Sequence, residues 1–305
     1  MIWALAAAVA SPFFFSLGAA LQQHEAMRSP AHGLMDPRLL AHLLRRRWWV
    51  AGIVGLCLGG ALRVLSLSSA PITIVQPIGV TSLLFAIPLA AMLHGRRPGA
   101  SELLGALAVI AGLTGLILLV PASSAEPRLS DAGGLGLVGV AGIAVALLVA
   151  AAHRLRGALR AILLGAGAAV VYGIAATLVR ALAYSFAVEG AGALLEWYIL
   201  VVPVLPVCGV LLLQNAYKTG HFSAGFATMA VLDPLTAVVA GALALGEPLP
   251  HGPVAAAVGA AAGLLIIAGT ITLARSPIHL GPGAKTPDAA ADSDSSAREP
   301  TSISQ

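Results

Sequence analysis

Charge is what this chain has least of. Of its 305 residues 10% are charged and 58% are hydrophobic, with a mean hydropathy of +0.92. A soluble domain carries about 25% charged residues, so a water-soluble fold is excluded and a polytopic membrane protein is indicated. Lysine is nearly absent, with Lys218 and Lys285 alone, and cysteine is confined to Cys57 and Cys208. Both cysteines fall inside apolar stretches and read as small core residues, which argues against a disulfide framework or a thiolate metal centre. The eight histidines, from His24 to His279, lie in loops or at the ends of apolar runs, and none is paired at i, i+4 as in a zinc protease. No Gly-x-Ser-x-Gly elbow, P-loop or complete dinucleotide fingerprint is present; Gly165-x-Gly167 lacks its third glycine. The chain is read as no enzyme and as needing no cofactor. The pI near 9.5 does not call for a nucleic acid, because the arginines flank apolar runs rather than covering a polar face.

What is there is a series of apolar runs. Spans are expected at about Ile2–Gln22, Trp48–Ser68, Pro71–Leu93, Glu102–Val120, Leu135–Ala152, Leu159–Tyr184, Leu194–Asn215, Phe222–Leu245 and Pro253–Ala274. No basic residue precedes Arg28, so the first run reads as a retained helix rather than a signal peptide. Asp36-Pro37 is a helix-start signal leading to the border Arg45-Arg46-Arg47-Trp48-Trp49. Residues Ala122 to Gly134 read as a polar loop, and the tail from Ser276, rich in Ser, Pro, Asp and Ala, as disordered. With the N-terminus outside, almost every arginine and lysine outside the spans falls on the cytoplasmic side, Arg128 being the exception. That positive-inside pattern supports nine spans and a cytoplasmic C-terminus. The Ala, Gly and Arg bias hints at a GC-rich bacterium, hence a bacterial plasma membrane.

Two halves match at an offset of 151 residues: Cys57 on Cys208, Gly95 on Gly246, Ala108-x-x-x-Gly112 on Gly259-x-x-x-Gly263. The expected fold is therefore all-α, with a first repeat over 1–121, a linking helix at 135–152, a second repeat over 159–275 and a tail at 276–305. The odd linking span would turn the second four-helix repeat upside down relative to the first, as in secondary transporters. Gly55-x-x-x-Gly59 and Gly259-x-x-x-Gly263 permit close helix contact, between the halves or with a second copy in a homodimer.

The candidate site follows from the few polar groups inside the spans. Asp233, followed by Pro234, lies near the middle of the eighth span. A carboxylate at that depth costs about 2.5–3.5 kcal/mol on insertion scales, so it is retained where it faces protein or a wet cavity. The bland alternative is a cap on a kinked helix. Gln76, Thr81 and Ser82 lie in the third span among Pro71, Pro77 and Pro88, and Ser82 corresponds to Asp233 at the repeat offset. Proline-interrupted spans in corresponding places point to a transport site; ordinary helix–helix hydrogen bonds are the alternative. Arg63 and Arg180 are expected to snorkel to the interface, with an ion pair to Asp233 or Glu196 as the other reading. Asn215, Tyr217 and Lys218 read as a solvated border, or else an inner gate. Asp233 is the candidate metal ligand.

Several stretches carry a family resemblance. Gln214-Asn215-Ala216-Tyr217-Lys218-Thr219-Gly220, the proline-bearing helix closed by Leu245-Gly246-Glu247-Pro248-Leu249, and the glycine-rich last span resemble the EamA-like proteins of the drug/metabolite transporter superfamily. Ser69-Ala70-Pro71-Ile72-Thr73-Ile74-Val75-Gln76-Pro77-Ile78-Gly79 and Gly18-Ala19-Ala20-Leu21-Gln22-Gln23 resemble its NIPA-type branch, as does the nine-span layout. The resemblance covers roughly residues 1–275. It implies a transporter with pseudo-twofold halves and, for the NIPA-type branch, magnesium or a related divalent cation; a small organic solute is the other substrate class. One departure is that Arg96 stands in the first half where Glu247 closes the second. The rival from another class is a non-transporting membrane scaffold or accessory subunit, which needs the same packing but no wet cavity. An enzyme acting on lipid would need a second acidic or nucleophilic group facing Asp233, and within the spans only Glu196 is available.

Overall fold

A bilayer leaves the backbone to satisfy its own hydrogen bonds, so apolar runs of this length must form helices. The computed structural model describes residues 2–29, 34–67, 78–120 and 126–275, without the side chains of 2–5 and 67. Among the described residues the regular structure is entirely helical: α1 (Ile2–Met27), α2 (Pro37–Leu43), α3 (Arg47–Leu67), α4 (Ser82–Leu93), α5 (Ala100–Leu119), α6 (Asp131–Arg154), α7 (Gly157–Glu189), a 3₁₀ segment (Gly190–Leu195), α8 (Tyr198–Val201), α9 (Val204–Tyr217), α10 (Phe222–Leu245) and α11 (Pro253–Ala274). Seven helical stretches among them are long and apolar enough to cross a membrane, and Ile78–Leu93 is a shorter apolar helix.

Several boundaries differ from the sequence expectation. The linking helix begins at Asp131, inside the stretch read as a loop, because Ser130 caps it: its Oγ accepts the Gly133 amide at 3.1 Å. The seventh run does not start as an α-helix at Leu194. Its first residues are 3₁₀, and the short α8 is parted from α9 by Val202-Pro203, where proline offers no backbone donor. At Asp36 the helix-start signal holds, the carboxylate accepting the Arg38 amide at 2.9 Å. Cys57 is exposed on the outer surface rather than in the core, and Cys208 is partly buried.

The helices pack in two groups. In the first, α1 lies along α3 and touches α4; in the second, α7 lies along α10 and α9, with α6 on its flank. The groups meet where α1 touches α9 and α4 touches α10, while α5 pairs with α11. Glycines let these backbones touch. A Cβ at Gly18 would lie 2.5 Å from the Gly52 carbonyl oxygen, one at Gly165 2.5 Å from that of Gly225, and one at Gly269 2.5 Å from that of Gly105. Gly55 and Gly59 likewise meet α1, so this pair joins helices within the chain; a Cβ at Gly259 or Gly263 would meet nothing within 4 Å. Two glycines serve the backbone itself: Gly95 (φ 70°) and Gly246 (φ 67°) end α4 and α10 in the left-handed region that glycine tolerates.

Gly269→Leu is expected to force α5 and α11 apart and lower stability by about 1–3 kcal/mol, whereas Gly263→Leu should leave it nearly unchanged. Thermal unfolding of the detergent-purified variants measures both, and equal midpoints would refute the contact.

Candidate functional site

Where the two helix groups meet, a cavity of about 210 Å³ opens between them. Helix α1 lines it with Ser11, Pro12 and Phe15, α3 with Gly59, Gly60 and Arg63, the α4 region with Gly79, Val80 and Ser82, and α10 with Phe226, Met229, Ala230, Asp233 and Pro234. Asp233 is half-buried, so its carboxylate faces this space rather than a packed core. The helix runs unbroken through Asp233-Pro234, although the residue before a proline is generally biased away from helical geometry. The ring still has no N–H, so the Ala230 carbonyl loses its donor one turn back. Asp233 and Ala230, whose carbonyl finds no donor at position 234, thus line one cavity. Behind them α7 packs closely: a Cβ at Gly173 would lie 2.8 Å from the Asp233 carbonyl oxygen.

Arg63 shares the cavity, and the opposite charges of Arg63 and Asp233 act on one another across it. Its guanidinium lies beside Gly79, where a Cβ would come within 2.7 Å of Nη1. The expected snorkelling arginine is therefore turned toward the site. Arg180 is not: it pairs with Glu247, neither Asp233 nor Glu196.

Of the other sequence candidates, Ser82 lines the cavity, and its carbonyl lies 2.6 Å from the Ser16 hydroxyl, which is equally close to the Pro12 carbonyl. Thr81 spends its hydroxyl on the Ile78 carbonyl at 2.6 Å. Pro88 lies within α4. Gln76, Pro71 and Pro77 lie outside the described residues. Asn215 is buried, not a solvated border residue, and its Nδ2 donates to the Leu211 carbonyl at 2.8 Å. Tyr217 beside it is fully buried too. Neighbouring helices cover this end of α9: Gln214 Nε2 donates to Gln22 Oε1 of α1 at 2.8 Å, and Phe222 of α10 packs on the Tyr217 ring with centroids 5.0 Å apart.

A second cavity, of about 370 Å³, lies toward these residues and is lined by Gln22, Tyr172, Tyr217 and Leu213. It shares Phe15, Phe226, Met229 and Asp233 with the first. Asp233 thus stands between two spaces parted by two aromatic rings and a methionine. The sequence reading passed over Ser11-Pro12 and Tyr172, although a serine–proline pair and a mid-span phenol meet the same criterion that singled out Asp233.

Among the described residues no group of three or more His, Cys, Asp and Glu gathers. A cation here would be held by one carboxylate, carbonyl oxygens and water. Magnesium accepts such a site, because it dehydrates reluctantly and binds through one or two carboxylates.

Comparison with known proteins bears on the same residues. An uncharacterized protein of Corynebacterium glutamicum is 28% identical over 246 residues, covering 79% of this chain and 83% of the relative. No solved structure matches the chain. The family model of the magnesium transporter NIPA matches residues 1–245, a stretch that includes every helix lining the Asp233 cavity. The chain belongs to the NIPA magnesium transporter family.

Proposed function

We propose that this protein is a secondary transporter that moves magnesium or a related small divalent cation across a bacterial plasma membrane. The observation that carries the reading is Asp233: a carboxylate beside a proline within an unbroken helix, at a cavity walled by both helix groups. The site residues are Asp233 as the cation ligand, with the Ala230 carbonyl and Ser82 completing a polar lining. At about 30 Å³ per water molecule, 210 Å³ holds a cation with much of its water shell.

Transport proceeds by alternating access. Nine spans, counting α1 and the shorter helix ending at Leu93, form two inverted four-helix repeats over 1–121 and 159–275, with α6 linking them. The halves rock about Asp233, opening first one cavity and then the other, while Phe15, Phe226 and Met229 close the space between. The N-terminus lies outside and the C-terminus in the cytoplasm, which places the arginines that flank the spans inside. Absence of an ATP-binding motif leaves the gradient of the cation, or of a coupled ion, as the driving force.

Purified protein in liposomes should take up magnesium, and Asp233→Asn should cut that uptake by roughly tenfold or more, the loss of a charged contact. Uptake of none of a divalent cation panel by folded wild type would end the reading, as would full flux through the variant. Hydration is tested separately. With both native cysteines replaced, a cysteine at position 82 or 233 should react with a membrane-impermeant thiol reagent, and one at Ala86, fully buried on the same helix as Ser82, should not. No labelling at either cavity position would favour a non-transporting scaffold.

A further inference from the structure

Arg63 is the least expected occupant of a cation site. It lines the same cavity as Asp233 and carries a charge of the same sign as the substrate. A fixed cation there would repel magnesium, so the arginine must do something a cation site can use. We infer that Arg63 is a tethered surrogate cation that neutralises Asp233 in the empty carrier and yields the carboxylate to the incoming divalent cation. The inference rests on the transport reading above and specifies how its site completes a cycle without substrate.

Three features of the cavity carry it. The first is charge: Asp233 and Arg63 cancel when the site is empty, so the occluded empty carrier does not bury a bare carboxylate, the state that a low-dielectric interior penalises most. With a divalent cation bound, the carboxylate is already compensated and the guanidinium is surplus. The second is room. Gly59, Gly60 and Gly79 line the cavity around Arg63; Gly79 admits the guanidinium at a distance a Cβ would forbid, and a Cβ at Gly60 would meet nothing within 4 Å. The third is reach. Arg63 lies one turn before the end of α3 at Leu67, and a side chain of that length can extend from an apolar helix to the membrane border. In this scheme it has two stations, one facing Asp233 across the cavity and one toward water.

The consequence is a division between net transport and exchange. Exchange of cation for cation needs only the loaded carrier to reorient, and Arg63 takes no part. Net transport needs the empty carrier to return, and that step uses Arg63. Removing the arginine also removes the competitor for Asp233, so the cation binds more tightly.

The test uses the full chain in liposomes with magnesium as the probe. Arg63→Gln should keep magnesium–magnesium exchange within about twofold of wild type, lower net uptake about tenfold or more, and tighten magnesium binding about tenfold, each tenfold being about 1.4 kcal/mol. Arg63→Lys should restore most of the net uptake. Binding is read as the magnesium-dependent rise of the thermal midpoint in detergent, a measurement that does not depend on reconstitution. Unchanged net uptake in Arg63→Gln would overturn the surrogate role while leaving the carrier reading intact. Loss of exchange and net uptake together, or weaker magnesium binding, would also overturn it, making Arg63 structural or part of the binding site. A wild type that neither exchanges nor accumulates magnesium removes the transport reading, and this inference with it.

Discussion

A carboxylate within an apolar helix must be given water, a counter-charge or both, and the architecture around Asp233 offers a cavity and an arginine facing it. Proline at 234 keeps the α10 backbone short of one donor at that depth, so the helix itself adds a second polar group beside the acid. Gly173 lets α7 pack against the backbone of the same turn, which holds the carboxylate at a fixed height while its side chain faces space. Arg63 faces the same cavity from the other helix group. No single element makes the site; it exists because two groups of helices leave a gap where each contributes one charge.

The gap has to coexist with tight packing elsewhere, and in a bilayer hydrophobicity does not drive helices together. Many large apolar side chains accordingly point outward, as with Leu195, Leu243 and Val254. The inward faces combine large residues such as Phe222, Phe226, Leu164 and Leu212 with much alanine, including Ala20, Ala106, Ala161, Ala168 and Ala227. Contacts at Gly18–Gly52, Gly165–Gly225 and Gly105–Gly269 bring backbones together along three helix pairs. Packing of this kind leaves little slack, so a change at the cavity is passed to whole helices rather than absorbed by soft side chains.

Most of the helices were legible in composition, because a run of apolar residues in lipid has one solution. Their ends were less so. Ser130 extended α6 by a turn through a cap, and Pro203 broke the seventh run, both local effects smaller than the hydropathy signal that masks them. For the site, Asp233 could be found from the cost of its burial alone. Arg63 and Arg180 could not be told apart, since each is an arginine near a span end. Which one turns inward depends on what stands opposite: Glu247 captures Arg180, while Gly79 leaves Arg63 room. Asn215 and Tyr217 looked solvated because they border Lys218, and packing by neighbouring helices, α1 and Phe222 of α10 among them, buries them.

The substitution of Arg96 for glutamate at the end of α4 reads differently once its partner is known. Gly95 and Gly246, 151 residues apart, both close their helices in the left-handed region, and the residue after each is charged and ion-paired. Arg96 donates two hydrogen bonds of 2.8 Å to the buried Glu102, which also accepts the Gly99 amide at 2.9 Å at the start of α5. Glu247 pairs with Arg180 of α7. The sign is reversed but the duty is shared: each charge fastens a helix end to a neighbouring helix. A carboxylate is thus not missing from a functional place in the first half; it has moved six residues along to the N-terminal turn of α5, where the helix dipole also favours it. Both fastened ends lie away from the cavity, so the polarity of the pair is free to differ between halves while Asp233 and Ser82, which face the cavity at the same offset, are not interchangeable: one brings the charge and the other only a hydroxyl.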